Sequence, residues 1–229
     1  MNLETNKTME EIVTNLQNWQ AHKKDVDLMN KLLSKADFFL IDYKVADDNS
    51  ESYHFYPALE IIEDKEQNLT FELVFYMISK NRDTSDFLEK NKNTIEQFIK
   101  KFKVINKKLK QDNEITKEEA EVRKHRWITD LKKWIGENEM FEVFDIPSDD
   151  FNLNDKVIMQ GYFGMKVAED EKDVQDNEKS NLKETTFSPD IIIYQLNLDG
   201  TSTSFFDMAR LSPPWRKREL EYALLNLTM

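Results

Sequence analysis

Three runs dense in aromatic and β-branched residues, Phe38–Val45, Tyr53–Ile62 and Thr70–Ser79, do most to narrow the folds open to this chain. Each reads as a strand. The polar connectors between them, Ala46–Glu51 and Glu63–Asn68, are too short for a parallel crossover, so the runs predict an antiparallel meander. Side chains alternate across a strand, which groups Phe39, Ile41, Tyr43 and Val45 with Phe55, Leu59, Ile61, Phe71, Leu73, Phe75 and Met77 on a face for helices to cover. The opposite face carries Phe38, Tyr56, Ala58, Val74, Tyr76 and Ile78 and is apolar as well. Such a sheet has to be covered twice, by the rest of the chain or by a partner. Pro57 brings no backbone donor and predicts an edge or a bulge in the second run.

Helices bracket the meander. Thr8-Met-Glu-Glu11 and Thr116-Lys-Glu-Glu119 have the spacing of capping boxes, in which the hydroxyl and the carboxylate each satisfy a free N–H at the helix start. The first opens a stripe of Met9, Ile12, Val13, Leu16 and Trp19 that loosens at His22–Asp25 and resumes through Leu33. The second leads into Ala120, Trp127, Ile128, Leu131, Trp134 and Ile135. A further helix is expected from Thr84 through Phe98 and Phe102 to Leu109, and a last one from Pro213-Pro214 through Leu227.

After the Thr116 helix come strand candidates Met140–Ile146, Val157–Val167, Asp190–Leu198 and Thr201–Met208, the last two joined by a tight Asn197-Leu-Asp-Gly200 turn. Residues 168–189 read as an acidic loop. The order helix then strands therefore occurs twice, and the phrase Ile12–Trp19 aligns with Trp127–Trp134. The expectation is an α+β protein with antiparallel sheets flanked by helices, built from two similar α-β-β-β halves, 1–114 and 115–229, packed as one pseudo-symmetric body.

Charge and composition limit the chemistry. The formal net charge of −12 opposes a polyanion at long range, which disfavours nucleic acid as a partner. Acids concentrate in residues 137–178, and eight of the nine charged residues in 90–110 are Lys, read as a solvated helix face. No apolar run approaches the roughly 20 residues of a membrane span, and the expected setting is cytoplasmic. Four Gly are too few for Gly-rich nucleotide-binding turns, and the absence of Cys removes thiol catalysis and thiolate zinc sites. No cofactor or metal is expected.

Of three histidines, His54 alternates away from the Tyr53–Phe55 core set and reads as a surface or packing residue with no acidic partner nearby. Asp42 and Lys44, two apart on a strand, are half of the arrangement used by Mg²⁺-dependent nucleases, and Ser188-Pro-Asp190 offers another half motif. The leading reading is a non-catalytic acidic protein-binding factor of chaperone, immunity-inhibitor or adaptor type. Its contact residues would be Glu139, Glu142, Asp145, Asp149, Asp150, Asp155, Trp215 and Arg216, facing a partner with a basic surface. The alternatives are a nuclease using Asp42 and Lys44, or a subunit of a homo-oligomer.

Overall fold

The computed structural model describes residues 9–36, 38–41, 49–63, 67–105, 117–138, 140–148, 151, 157–167, 187–197, 202–206, 210–212 and 222–228. Helices α1 (Met9–His22) and α2 (Val26–Leu33) lead into strands β1 (Phe38–Ile41), β2 (Ser52–Glu63) and β3 (Leu69–Ser79). A 3-10 turn, Lys80–Arg82, precedes α3 (Ser85–Asn91), and a second, Ile95–Gln97, precedes β4 (Lys100–Ile105). Then follow α4 (Lys117–Glu137), β5 (Val143–Pro147), β6 (Val157–Val167), β7 (Phe187–Asn197), β8 (Ser202–Phe206), β9 (Arg210–Ser212) and the short α5 (Ala223–Asn226).

The break between α1 and α2 falls where the apolar stripe loosens. Asp25 caps α2 by accepting from the Leu28 N–H at 3.0 Å. Thr84 likewise caps α3 through the Phe87 N–H. Thr8, Thr116, Pro213 and Pro214 lie outside the described residues, as do Leu198–Gly200 of the expected turn. The long helix expected from Thr84 to Leu109 is not formed: α3 ends at Asn91, and Lys100–Ile105 is a strand. Read with a period of two, this stretch turns Phe102 and Val104 to the core, while Lys101 pairs with Glu60 and Lys103 lies 3.2 Å from Glu72. These lysines face outward from a sheet, not from a helix.

The nine strands among the described residues are each antiparallel to their neighbours, in the order β8-β7-β6-β1-β4-β3-β2-β5-β9. The α+β class with an antiparallel sheet is thus present, although one strand order replaces separate sheets. β1 lies between β6 and β4, and β5 pairs with β2. β4 divides its pairing: Lys100–Lys103 runs along β3, and Val104 and Ile105 along β1. The two outermost strands, β8 and β9, follow each other in sequence. Phe206 and Arg210 can be no more than about 14 Å apart along an extended chain. The sheet must therefore roll until its ends approach each other.

The face inside this curl holds the main core. Phe39 lies within 5.2–6.3 Å, centre to centre, of the rings of Phe55, Phe75, Phe102 and Phe163. Met29 and Leu33 of α2, Trp19 of α1, and Trp127, Leu131, Trp134 and Ile135 of α4 pack on the same cluster. Burial of so many rings is the principal favourable term in folding. Gly161 stands in register with Phe39, and a Cβ there would lie only 2.3–2.8 Å from three atoms of the Phe39 ring. The opposite face, with Tyr56, Ala58, Val74, Tyr76 and Ile78, is closed by Ile12 and Leu16 of α1, Leu88 of α3, Ile95, Ile99 and the segment Tyr222–Leu225. The second cover required by the strand pattern comes from the chain itself.

Pro57 sits where its missing donor costs nothing to a second partner strand. β2 pairs with β5 as far as Phe55, so among the described residues Pro57 has β3 alone as a partner strand. The bare side of β2 is met at Leu59, whose carbonyl accepts from Asn18 of α1 at 3.1 Å.

Candidate functional site

A buried grouping of ionisable side chains surrounds His54, on the outer face of β2. Backbone register aligns Ile78 of β3, His54, Asp145 of β5 and Arg210 of β9 across four adjacent strands. The turn after β3 brings Asp83 over this row, and its carboxylate joins three distant parts of the chain. Oδ2 lies 2.6 Å from His54 Nδ1 and accepts from the Tyr56 hydroxyl, while Oδ1 accepts from the Leu224 N–H at 2.8 Å. The Tyr222 ring meets the imidazole edge-on at 4.8 Å. His54, Tyr56 and Asp83 are buried. On the far side of the imidazole, Nε2 is 4.0 Å from Asp145 Oδ1, and neither atom has a hydrogen-bond partner among the described residues.

This arrangement corrects the reading of His54. It is buried between two carboxylates. Its partners come from 29 residues along the chain, through a turn, and from a strand in the second half, so no local spacing announces them. The usable signal is weaker: a histidine alternating with Tyr56 and Ala58 on an apolar face must be satisfied from above that face.

Two of the proposed acidic contact residues also have interior places. Asp145 belongs to the His54 row, and Glu142 is buried and paired with Lys23 at the end of α1. Both are taken out of the acidic outer surface expected of 137–178. Glu139, Asp149, Asp150, Asp155, Trp215 and Arg216 lie outside the described residues, as do Asp42 and Lys44.

A second charged group is centred on Asp190, which is wholly buried. Arg123 of α4 donates to its Oδ2 at 2.9 Å and to Glu119 at 2.6 Å, while Lys166 of β6 stands 3.9 Å from Oδ1. Gly164 lets α4 come this close: a Cβ there would be 3.2 Å from Arg123 Cβ and 3.0 Å from Ile192. The half motif Ser188-Pro-Asp190 thus presents its carboxylate to cations of the chain itself, an arrangement that fixes a helix on a sheet. Among the described residues no group of three or more acids or histidines is placed to hold a metal.

Two buried tyrosines shape the response to alkali. Burial, reinforced by the Asp83 charge, holds Tyr56 well above the usual tyrosine range. Burial also raises Tyr76, opposed by its hydrogen bond from Asn15 at 2.9 Å. In both cases the folded state favours the neutral hydroxyl. Their contribution to stability is complete below the ordinary value of about 10 and is lost as pH rises beyond it. Tyrosinate absorbance in the folded protein is accordingly expected to lag behind that of the unfolded chain, and the Tyr56→Phe and Tyr76→Phe variants should narrow the lag. A folded titration that coincides with the unfolded one would contradict the assignment.

No protein-family model, curated protein or solved structure matches the chain.

Proposed function

We propose that this chain is a non-catalytic protein-binding factor that docks a basic partner, with the outer end of the β2–β3 hairpin as part of its contact surface. The observation that carries the reading is the exposure of Leu69 at 75% and Ile61 at 47%, on one face of a hairpin that extends beyond the cover of α1. Beside them Phe71 is half-buried against the His22 ring, and Glu63 is exposed across the strand from Leu69. β2 has no second partner strand here among the described residues. An apolar centre with a carboxylate at its margin, on a chain of net charge −12, suits a partner with an apolar contact and a basic rim. The charged clusters around Asp83 and Asp190 are buried and tie elements together, which is work of a scaffold. A cytoplasmic setting goes with this proposal.

The test is capture from the source cell on immobilised protein, comparing the natural chain with an Ile61→Asp, Leu69→Asp variant. Both positions are exposed, so the fold should survive. A protein retained by the natural chain, released by salt and held at least tenfold more weakly by the variant is the expected result. Retention that ignores both the variant and salt would overturn the proposal.

We further propose that the chain is two similar half-chains exchanging strands. Three correspondences support this. β1 pairs with β6, as β5 pairs with β2. β4 divides between β3 and β1, as the successive strands β8 and β9 divide between β7 and β5. The Trp19 indole donates to the Phe141 carbonyl ahead of β5, and the Trp127 indole to the Leu33 carbonyl ahead of β1. This equivalence matches Trp19 with Trp127, whereas the phrase in the sequence set Trp19 against Trp134.

A further inference from the structure

We propose that a second copy of this chain is a partner for it, the two closing on each other by exchanging the parts on either side of residues 106–116, an inference resting on the reading of the chain as two similar half-chains. The two seams between the halves keep one register. Phe39 faces Gly161 as Phe144 faces Phe55, and Ile41 faces Met159 as Ile146 faces Tyr53. All of these but the glycine enter the main core. Each helix is tied to its own strand pair: Asn15 donates to the Tyr76 hydroxyl on β3, and Arg123 to Asp190 on β7, both at 2.9 Å. One turn further along, Trp19 and Trp127 donate across the seam, to the Phe141 and Leu33 carbonyls. A contact and its mirror, made between two like units, is the form of a two-fold, self-complementary interface.

Nothing in these seams depends on both halves belonging to one chain. The sequence has no Cys, so no disulfide joins the halves, and the peptide through residues 106–116 is their covalent link. Neither half is complete alone: Phe39 packs on Phe163, and Phe75 on both Phe144 and Phe163. A half must find its counterpart, and the counterpart from any copy fits. Two chains that trade halves make every seam contact twice and differ from two closed monomers in where the connecting peptides run. A short connector holds the counterpart at an effective concentration of about millimolar. Closed monomers therefore prevail in dilute solution, and exchanged dimers form when chains fold together near that concentration. Passage from one form to the other requires the seams to open, so each persists once made.

Two differently labelled preparations of the full chain, each with a protease site placed within 106–116, are refolded together from denaturant at about 1 µM and about 1 mM. At the higher concentration a species of twice the chain mass carrying both labels is expected, with a fraction about tenfold smaller at the lower. It should survive dilution, and cutting the connectors should return it to the mass of one chain. The cut monomer should hold together, with a melting temperature that rises with concentration, unlike that of the uncut monomer. Trp19→Phe and Trp127→Phe should each weaken the cut pair about fivefold, the worth of one hydrogen bond. Absence of the doubly labelled species, a double-mass species that cutting leaves whole, or halves that part on cutting would overturn the proposal. Exchange with only one of the two tryptophans mattering would uphold it and refute instead the likeness of the half-chains.

Discussion

Replacing Asp83 with alanine is expected to cost about 3–5 kcal/mol of folding stability, the range for removing one partner from a buried charged group. The carboxylate accepts from the imidazole, a tyrosine hydroxyl and a backbone N–H, and Asp83 is only 1% exposed. Alanine leaves all three donors buried without their acceptor. Asp83→Asn keeps one oxygen and should lose less. Denaturant unfolding measures both, and the order matters as much as the size. A loss in Asp83→Ala below about 1 kcal/mol would mean that the donors find other partners and that the cluster is not a tie between elements.

Gly161→Ala is expected to cost about 3 kcal/mol, toward the upper part of what overpacking a close-fitted core produces. The added methyl would lie 2.3–2.8 Å from three atoms of the Phe39 ring, and that ring is held by four others. It has nowhere to go. Phe39→Leu in the same chain removes the obstruction, so the double variant should be more stable than the sum of the two single losses allows. A coupling of at least about 1 kcal/mol in a double-mutant cycle is the expected outcome, and strict additivity would show that the ring yields elsewhere.

The meander was legible because alternation is local: of the expected inward set, Phe39, Ile41, Phe55, Leu59, Leu73, Phe75 and Met77 are buried, whereas Phe71 is half-buried and Ile61, at the hairpin's outer end, is 47% exposed. The helix break at Asp25 and the place of Pro57 were equally local. The strand Lys100–Ile105 was not, because Phe98, Ile99 and Phe102 fit a helical stripe until pairing with β3 and β1 decides the period. The His54 cluster was least accessible. It depends on register between β2 and β5, on a turn that lifts Asp83 over the sheet, and on the return of Leu224 from 141 residues away. The same dependence misled the reading of Glu142 and Asp145, since a count of acids along a segment says nothing about which face of a strand each occupies.

The interleaving of β1 and β5 with strands from the other part of the chain has a consequence for synthesis. Once residues up to Ile105 have left the ribosome, β1 and β2 can find β4 and β3, but the neighbours that complete them, β6 and β5, do not yet exist. Trp19 likewise waits for the Phe141 carbonyl. Final consolidation is thereby deferred until β5 and β6 have been made, and the nascent chain carries unfinished strand margins that invite premature association unless elongation outpaces it or a helper shields them.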